Sequence, residues 1–328
     1  MRIVIPDDYQ DCVRHLDCFA KLAAAHGIRH DITIFNDSVT DLDALAARFA
    51  GAQALVLIRE RTRITASLLD RLPDLKMISQ TAKVSGHIDL AACTERGIAV
   101  AEGSGDPTST AELTWALIMA SRRHVLAEAN RLNNGRWQGF LGQQLRGQTI
   151  GIWGYGRIGK LVAGYARAFG MNVWIWGRTG SMTRAQADGY DIAPTRERFF
   201  SDSDVISVHL RLNEETVGIV QQMDLTAMKQ TALFVNTSRA ELVAPSALTA
   251  ALDAGRPGFA AVDVYEEEPV LGARHPLLNR ENVLCTPHIG YVERENYELY
   301  LGTAFDNLLA YAAGRPVNLA NPEALKQK

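Results

Sequence analysis

Thr149 to Gly170 reads TIGIWGYGRIGKLVAGYARAFG, and the order of its chemistry decides the fold. An apolar run, Thr149 to Trp153, meets Gly154, Gly156 and Gly159, and the residues beyond repeat Ile158, Leu161, Val162 and Tyr165 with helical spacing. A strand, a tight glycine loop and the mouth of a helix in this order make a cradle for anions. Gly154 permits the turn, Gly156 lets backbone approach a pyrophosphate, Gly159 lets helix meet sheet, and the unpaired N–H groups at the helix start attract phosphate. Glycines at this spacing also occur in ordinary loops, so the strand before and the helix after are what point to a dinucleotide. Tyr155 and Ile158 belong to the same cofactor-contacting loop. Arg157 reads either as a charge-assisted phosphate contact or as an exposed arginine on a first helical turn.

Moving outward, such a fingerprint expects an acid at the end of the next strand to hold the ribose 2′-hydroxyl. Here the strand ends Val173-Trp174-Ile175-Trp176 and continues Gly177-Arg178-Thr179. The carboxylate that would repel a 2′-phosphate is missing, and Arg178 and Thr179 stand beside the gap. This favours NADP over NAD; the alternative is NAD, with Arg178 lying along the adenine.

The wider chain repeats the rhythm. Short apolar runs at Ile3 to Ile5, Ile32 to Phe35, Leu55 to Ile58 and Met77 to Ser79 alternate with alanine- and leucine-rich stretches, and a second series follows at Thr149 to Trp153, Val173 to Trp176, Val205 to Val208, Ala232 to Asn236, Ala260 to Val264 and Val283 to Cys285. Alternation of this kind predicts βαβ units and parallel sheets, so the fold class is α/β, doubly wound, and the six later strands complete a dinucleotide-binding sheet. Ala111 to Asn133 reads as one long helix dividing the two halves. Glu295 to Ala313 reads as a last helix that cannot bury its own apolar face and must dock on another element.

With 328 residues, 47% apolar and 22% charged, the chain is ordinary globular material for about two domains. A net charge of −3 gives no general reason to bind nucleic acid or an acidic membrane, which leaves a small molecule as the partner. Cys12, Cys18, Cys93 and Cys285 make no metal-ligating or disulfide pattern, and MRIVIPDDYQD lacks the apolar core of a signal peptide. No metal and a cytoplasmic location are the expectations.

Three later segments place polar groups beyond strand ends, where open α/β sheets bind ligands. LFVNTSRAEL carries Arg239, AAVDVYEEEP carries Asp263 and Glu268, and LCTPHIGY carries His288. An arginine can clamp a substrate carboxylate and polarise a neighbouring carbonyl through paired donors. A histidine can deliver a proton near neutral pH, and a carboxylate on its other nitrogen would fix its tautomer. Each residue alone has an ordinary structural reading; the three together match hydride transfer to a carbonyl.

These segments, with GYGRIGK, AFGMNV and SVHLRLNEET, stand in the order and at the spacings of the D-isomer-specific 2-hydroxyacid dehydrogenases, which the chain resembles over nearly its whole length. The resemblance implies that Arg239 orients substrate, Glu268 is the relay carboxylate and His288 the acid/base. It further implies that Asp263 contacts the nicotinamide carboxamide, that His209, Leu210 and Arg211 border the cofactor, and that Thr237 and Ser238 line its nicotinamide side. It also implies two Rossmann- or flavodoxin-like domains, with a dinucleotide-binding domain at 107–289 inserted into a substrate domain at 1–106 and 290–328, and an active site in the cleft between them.

Departures from the family pattern include Arg211 where proline is usual and Ala240 where glycine follows the arginine. In the substrate loop Thr81-Ala82-Lys83-Val84-Ser85-Gly86-His87, many relatives have a glycine-rich turn whose amides bind the substrate carboxylate. Ala82, Lys83 and Val84 are therefore substrate-binding candidates, with Lys83 either adding a cation or pointing to solvent. Of Arg59 and Arg61, Arg59 is the expected substrate contact. The implied reaction is reduction of a small anionic 2-oxo acid such as glyoxylate or hydroxypyruvate; the alternatives are D-3-phosphoglycerate dehydrogenase and, from another class, a non-enzymatic nucleotide-sensing corepressor. Trp115, Leu117, Ile118 and Met119 on the long helix, together with the resemblance, predict a homodimer through the nucleotide domain.

Overall fold

Runs of β-branched and apolar residues short enough for strands, and apolar on both faces, can be buried only in sheets covered from two sides. In the computed structural model, which describes residues 1–23 and 31–327, they do form two such sheets. The chain divides into one unit of Met1–Asp106 with Glu293–Lys328 and another of Pro107–Val292.

The first unit holds β1 (Arg2–Ile5), β2 (Asp31–Ile34), β3 (Ala54–Leu57), β4 (Met77–Gln80) and β5 (Ala99–Ala101). They pair in parallel in the order β2-β1-β3-β4-β5. The topology reverses between β1 and β3, so the loops after these strands flank the crevice where a doubly wound sheet takes a ligand. β5 is absent from the sequence reading because Ala99, Val100 and Ala101 are too short a run to show a period. The helix Arg294–Ala312 lies in this unit and buries Tyr297, Tyr300, Leu301, Phe305 and Leu308, while the Ser79 hydroxyl of β4 donates to the Ala304 carbonyl at 2.8 Å.

The second unit holds β6 (Thr149–Trp153), β7 (Asn172–Trp176), β8 (Asp191–Ile192), β9 (Val205–Val208), β10 (Leu233–Asn236), β11 (Phe259–Val262) and β12 (Val283–Cys285). All pair in parallel, in the order β12-β11-β10-β9-β6-β7-β8. Six strands are expected and seven form; β8 is a two-residue edge strand with no periodicity to read. No helix among the described residues is long and apolar enough to cross a membrane.

Two readings of the dividing helix need correction. It is not continuous over Ala111 to Asn133: Thr108–Arg122 and Val125–Asn133 are separate helices, broken at His124 with φ +53°. Just before the break, the buried guanidinium of Arg122 donates to the Thr231 carbonyl at 2.6 Å and to the Asp204 carbonyl, tying the helix end to loops beside the sheet. Nor do Trp115, Leu117, Ile118 and Met119 form a spare apolar face. Leu117 and Ile118 are buried, and Trp115 and Met119 pack against the unit's own core. The apolar surface left uncovered lies further along, at Val125, Leu126, Leu132, Trp137, Phe140 and Leu141.

Candidate active site

The glycine loop has the form its sequence predicts. Gly156 precedes the helix Arg157–Ala168, and Gly154 has φ +102° with a position where a Cβ would lie 2.5 Å from the His209 carbonyl oxygen. A Cβ on Gly159 would meet the Gly154 oxygen at 2.0 Å, so helix and strand approach as closely as glycine allows. A Cβ on Gly156 would meet nothing within 4 Å, which leaves that side of the loop open to a ligand. Tyr155 turns inward, its amide donating to Ser181 Oγ at 2.9 Å and its hydroxyl to Asp188 at 2.7 Å, so only its backbone can belong to the cradle. Ile158 packs against the core and Arg157 is exposed on the first turn.

Around the cradle, His209 follows β9 with its Nε2 2.9 Å from Ser207 Oγ, while its buried Nδ1 has no hydrogen-bond partner among the described residues. Desolvation drops this imidazole from 6.5 to about 4, so it is neutral near pH 7 and is no reservoir of protons. Leu210 comes within 3.1 Å of a Cβ built on Gly154, and Arg211 is exposed. Thr237 shares a 2.7 Å hydroxyl contact with Thr114, and Ser238 Oγ donates to the Val208 carbonyl at 2.9 Å. Arg178 stands just before the helix Thr179–Ala187 without a capping side-chain bond and is largely exposed, with Glu215 3.8 Å away. An open glycine face at a switch point, a helix N-terminus and an orphaned buried nitrogen beside it fit a dinucleotide.

The candidate catalytic groups follow β10, β11 and β12, which are neighbours in the sheet. Arg239 is half-buried, its Nη1 donating to the Ser238 carbonyl at 2.7 Å, and its carbonyl accepts from Asn236 Nδ2 at 2.8 Å. Glu268 and His288 come together: Oε2 is 2.6 Å from Nδ1, and Oε1 accepts the Tyr265 amide at 2.9 Å. The Tyr265 hydroxyl in turn donates to the Thr286 carbonyl at 2.9 Å, which links the acid's loop to the histidine's strand. His288 itself has φ +51°, a left-handed conformation that few non-glycine residues adopt and that its surroundings here hold in place.

Asp263 supplies the enforcement. It is fully buried, Oδ1 accepts from Thr286 Oγ1 at 2.6 Å and the Ile289 amide at 2.9 Å, and Oδ2 accepts the Gly290 amide at 2.8 Å. Burial pushes this carboxyl up, opposed by those three bonds and by His288. The sequence named Asp263 only as a cofactor contact; the structure shows it bracing the histidine turn on both sides of His288.

The first unit's candidates gather separately. Arg59, just beyond β3, has φ +56°, its amide donates to Thr81 Oγ1 at 2.9 Å, and Gln80 Nε2 donates to its carbonyl at 3.0 Å. Its guanidinium reaches the Tyr300 hydroxyl at 3.3 Å and lies 5.6 Å from that ring's centroid. Gly105 is required here, since a Cβ would sit 2.1 Å from Tyr300. Arg61 instead reaches Tyr297 at 3.1 Å and the Asp7 carbonyl at 2.6 Å. Ala82 is buried, its carbonyl accepting the Gly103 amide at 3.2 Å. Lys83 is exposed, its side chain 72% open to solvent, and its ammonium is 2.6 Å from Glu102, which also accepts the Val84 amide at 2.8 Å. Sequence reasoning missed Tyr300 and Glu102, since neither falls in a motif and both are recruited across the unit by the fold.

A family model described as D-isomer specific 2-hydroxyacid dehydrogenase, NAD binding domain, matches residues 115–290. Glyoxylate reductase of Aeropyrum pernix is 38% identical over 275 residues, 80% of this chain and 82% of its own. D-3-phosphoglycerate dehydrogenase of Archaeoglobus fulgidus is 35% identical over 269 residues, 81% of this chain and 50% of its own. A solved structure from Ralstonia solanacearum, provisionally a D-3-phosphoglycerate dehydrogenase, is 54% identical with TM-score 0.95, covering 99% of this chain and 98% of that one. A phosphoglycerate oxidoreductase from Vibrio cholerae is 50% identical with TM-score 0.92, covering 96% and 99%. The matched span contains the glycine cradle and the strand-end arginine, carboxylate and histidine, and the chain belongs to the D-isomer specific 2-hydroxyacid dehydrogenases, oxidoreductases with a Rossmann-type nicotinamide-binding domain.

Proposed function

We propose that this enzyme reduces a small 2-oxo acid of the glyoxylate or hydroxypyruvate type with NADPH, through Arg239, Glu268 and His288. The observation that carries the reading is the 2.6 Å Glu268–His288 pair at a strand end next to that of Arg239. Bound nicotinamide supplies the hydride chemistry; the residues supply position and a proton. Glu268 on Nδ1 fixes the imidazole so that Nε2 faces the substrate, and Nε2 holds the proton that the carbonyl oxygen needs on reduction and recovers it on oxidation. Arg239 holds the carboxylate and polarises the 2-oxo group. In the first unit, read as the substrate domain, Arg59 and the loop of Ala82, Lys83 and Val84 serve the acid's other contacts. Absorbance at 340 nm with NADPH and a panel of 2-oxo acids tests this, and the absence of turnover on every acid would overturn it.

A second reading, oxidation of D-3-phosphoglycerate, is favoured by the names of the two solved relatives above 50% or at 50% identity. The same panel with 3-phosphohydroxypyruvate separates the two by their kcat/KM.

The NADP preference is supported by Gly177, where a Cβ would meet only ordinary contacts at 3.7 Å or more, so packing does not forbid the missing acid. Gly177→Asp should move the kcat/KM ratio toward NADH by about tenfold, the scale of one new charge beside a phosphate; a wild-type preference for NADH sinks this part. A homodimer is supported by the exposed apolar stretch Val125 to Leu141, and a monomeric mass by light scattering at micromolar concentration would reject it. Four free cysteines agree with a cytoplasmic location.

A further inference from the structure

The turn that carries His288 hangs from one carbonyl. The Thr286 oxygen accepts the His288 amide at 3.0 Å across Pro287, and the same oxygen accepts the Tyr265 hydroxyl at 2.9 Å, while the Thr286 side chain is held by Asp263. Tyr265 also reaches the other member of the pair, since its amide donates to Glu268 Oε1 at 2.9 Å and leaves Oε2 for His288 Nδ1 at 2.6 Å. One residue thus holds the carboxylate with its backbone and the histidine's turn with its side chain. The ring itself is fixed. It is 7% exposed, belongs to the apolar cluster of Val262 and Leu277, and meets the His275 ring edge to face with centroids 4.9 Å apart. His275 is held in turn: its Nδ1 accepts the Leu277 amide at 3.3 Å, so Nε2 carries the proton toward Glu266 Oε2 at 3.0 Å. Burial and the nearby Cys285 thiol push the Tyr265 phenol well above its usual range, so it stays a donor at any working pH.

We propose that Tyr265 is a positioning residue for the Glu268–His288 pair: through its hydroxyl on Thr286 and its amide on Glu268, it sets the distance and angle at which carboxylate and imidazole meet. The proposal rests on the dehydrogenase reading above and adds to it a residue outside the arginine, carboxylate and histidine. All the groups involved lie in the second unit. A 2.6 Å contact between a ring nitrogen and a carboxylate tolerates little displacement, and the left-handed His288 keeps its aim only while its turn is pinned at Thr286. Without the hydroxyl, the Thr286 carbonyl keeps the His288 amide but loses its tie to the segment that carries Glu268, and the imidazole gains freedom relative to the carboxylate.

Tyr265→Phe removes the hydroxyl alone and keeps the ring, its packing and the amide on Glu268. Its kcat on a 2-oxo acid should fall about tenfold, with KM for cofactor and acid within about twofold, because the misplaced group acts in the chemical step. Nitrogen NMR of histidine-labelled protein reads the pair without turnover. The Nδ1 signal of His288, identified by its loss in His288→Ala, should be that of a protonated nitrogen bonded to carboxylate in wild type and a tautomer mixture or a broadened line in Tyr265→Phe. Leu252→Ala, in the same apolar cluster but on the helix Ala247–Asp253, controls for loosened packing: it should lower Tm yet leave kcat and the His288 signal at wild-type values. His275→Leu, which keeps the hydroxyl and frees the ring's edge, should move both readouts the same way by less, and it serves if Tyr265→Phe does not fold; no movement there then overturns the proposal. A Tyr265→Phe enzyme with wild-type kcat, or with the wild-type His288 signal, overturns it, and so does a Leu252→Ala enzyme that loses as much of both. If wild-type protein turns over no 2-oxo acid, the dehydrogenase reading fails and the NMR comparison alone decides whether Tyr265 positions the pair.

Discussion

Two carboxylate–cation pairs, each with its atoms 2.6 Å apart, stand at strand ends in the two units: Glu268 with His288 in the second, Glu102 with Lys83 in the first. Distance does not separate them, but the partner and its anchoring do. His288 sits in a left-handed turn braced by Asp263, and its imidazole has two nitrogens, so a carboxylate on one fixes the tautomer and prepares the other for chemistry. Lys83 ends a flexible stem with its side chain 72% exposed and has no second nitrogen to orient, so a carboxylate there only offsets its charge. The same contact thus arms one group and silences the other.

Breaking the pairs should show this asymmetry. The largest effect is expected from His288→Ala, which removes the proposed proton donor and should lower kcat by roughly 10²–10⁴-fold, whereas Lys83→Ala, at a proposed substrate contact, should act on KM for the acid more than on kcat. Steady-state kinetics of both variants on one substrate decides it; comparable losses would make the two pairs equivalent. Next comes Glu268→Gln, which keeps an acceptor near Nδ1 but gives up the charge that favours the imidazolium. A fall in kcat of about 10²-fold, with KM for cofactor preserved, is the expected outcome, and a wild-type rate would remove Glu268 from the relay.

Asp263→Asn sharpens the comparison by attacking the brace and not the pair. Asparagine offers one acceptor oxygen to three donors and turns an amide toward at least one of them, which costs about 1–3 kcal/mol for the donor left unmet. Differential scanning fluorimetry should show a Tm lower by several degrees, together with a kcat loss greater than the loss of cofactor affinity. Stability and kcat both at wild-type values would show that the turn holds His288 without Asp263.

The smallest effect concerns the other histidine. His209 is driven to about 4 by desolvation, below the 6.5 of an unfolded imidazole. Between these values the unfolded chain binds the proton that the folded one refuses, so stability is full above about 6.5 and is lost as pH falls through the window to 4. His209→Gln removes this linkage, and the difference in Tm between pH 7 and pH 5 should shrink by roughly 2–4 °C relative to wild type. An identical pH slope in the variant would mean that His209 titrates as freely as an exposed imidazole.

Much of this molecule is local. The glycine loop was legible because a phosphate turn needs glycines at fixed offsets between a strand and a helix, and Arg239, Glu268 and His288 stood out because each closely follows a strand whose apolar run is itself readable. β5, β8 and the break at His124 were not, since three- and two-residue strands have no measurable period and a buried Arg122 looks in sequence like any charged helix residue. The sequence by itself determined two parallel sheets, the cradle and which strand-end groups are the candidates for the chemistry. Only the tertiary structure decided that Asp263 braces the histidine turn from both sides, that Tyr300 receives Arg59 and that Glu102 neutralises Lys83. These contacts join residues from about 20 to 240 positions apart, and what brings them together is the sheet order and the docking of the last helix, which no local pattern encodes.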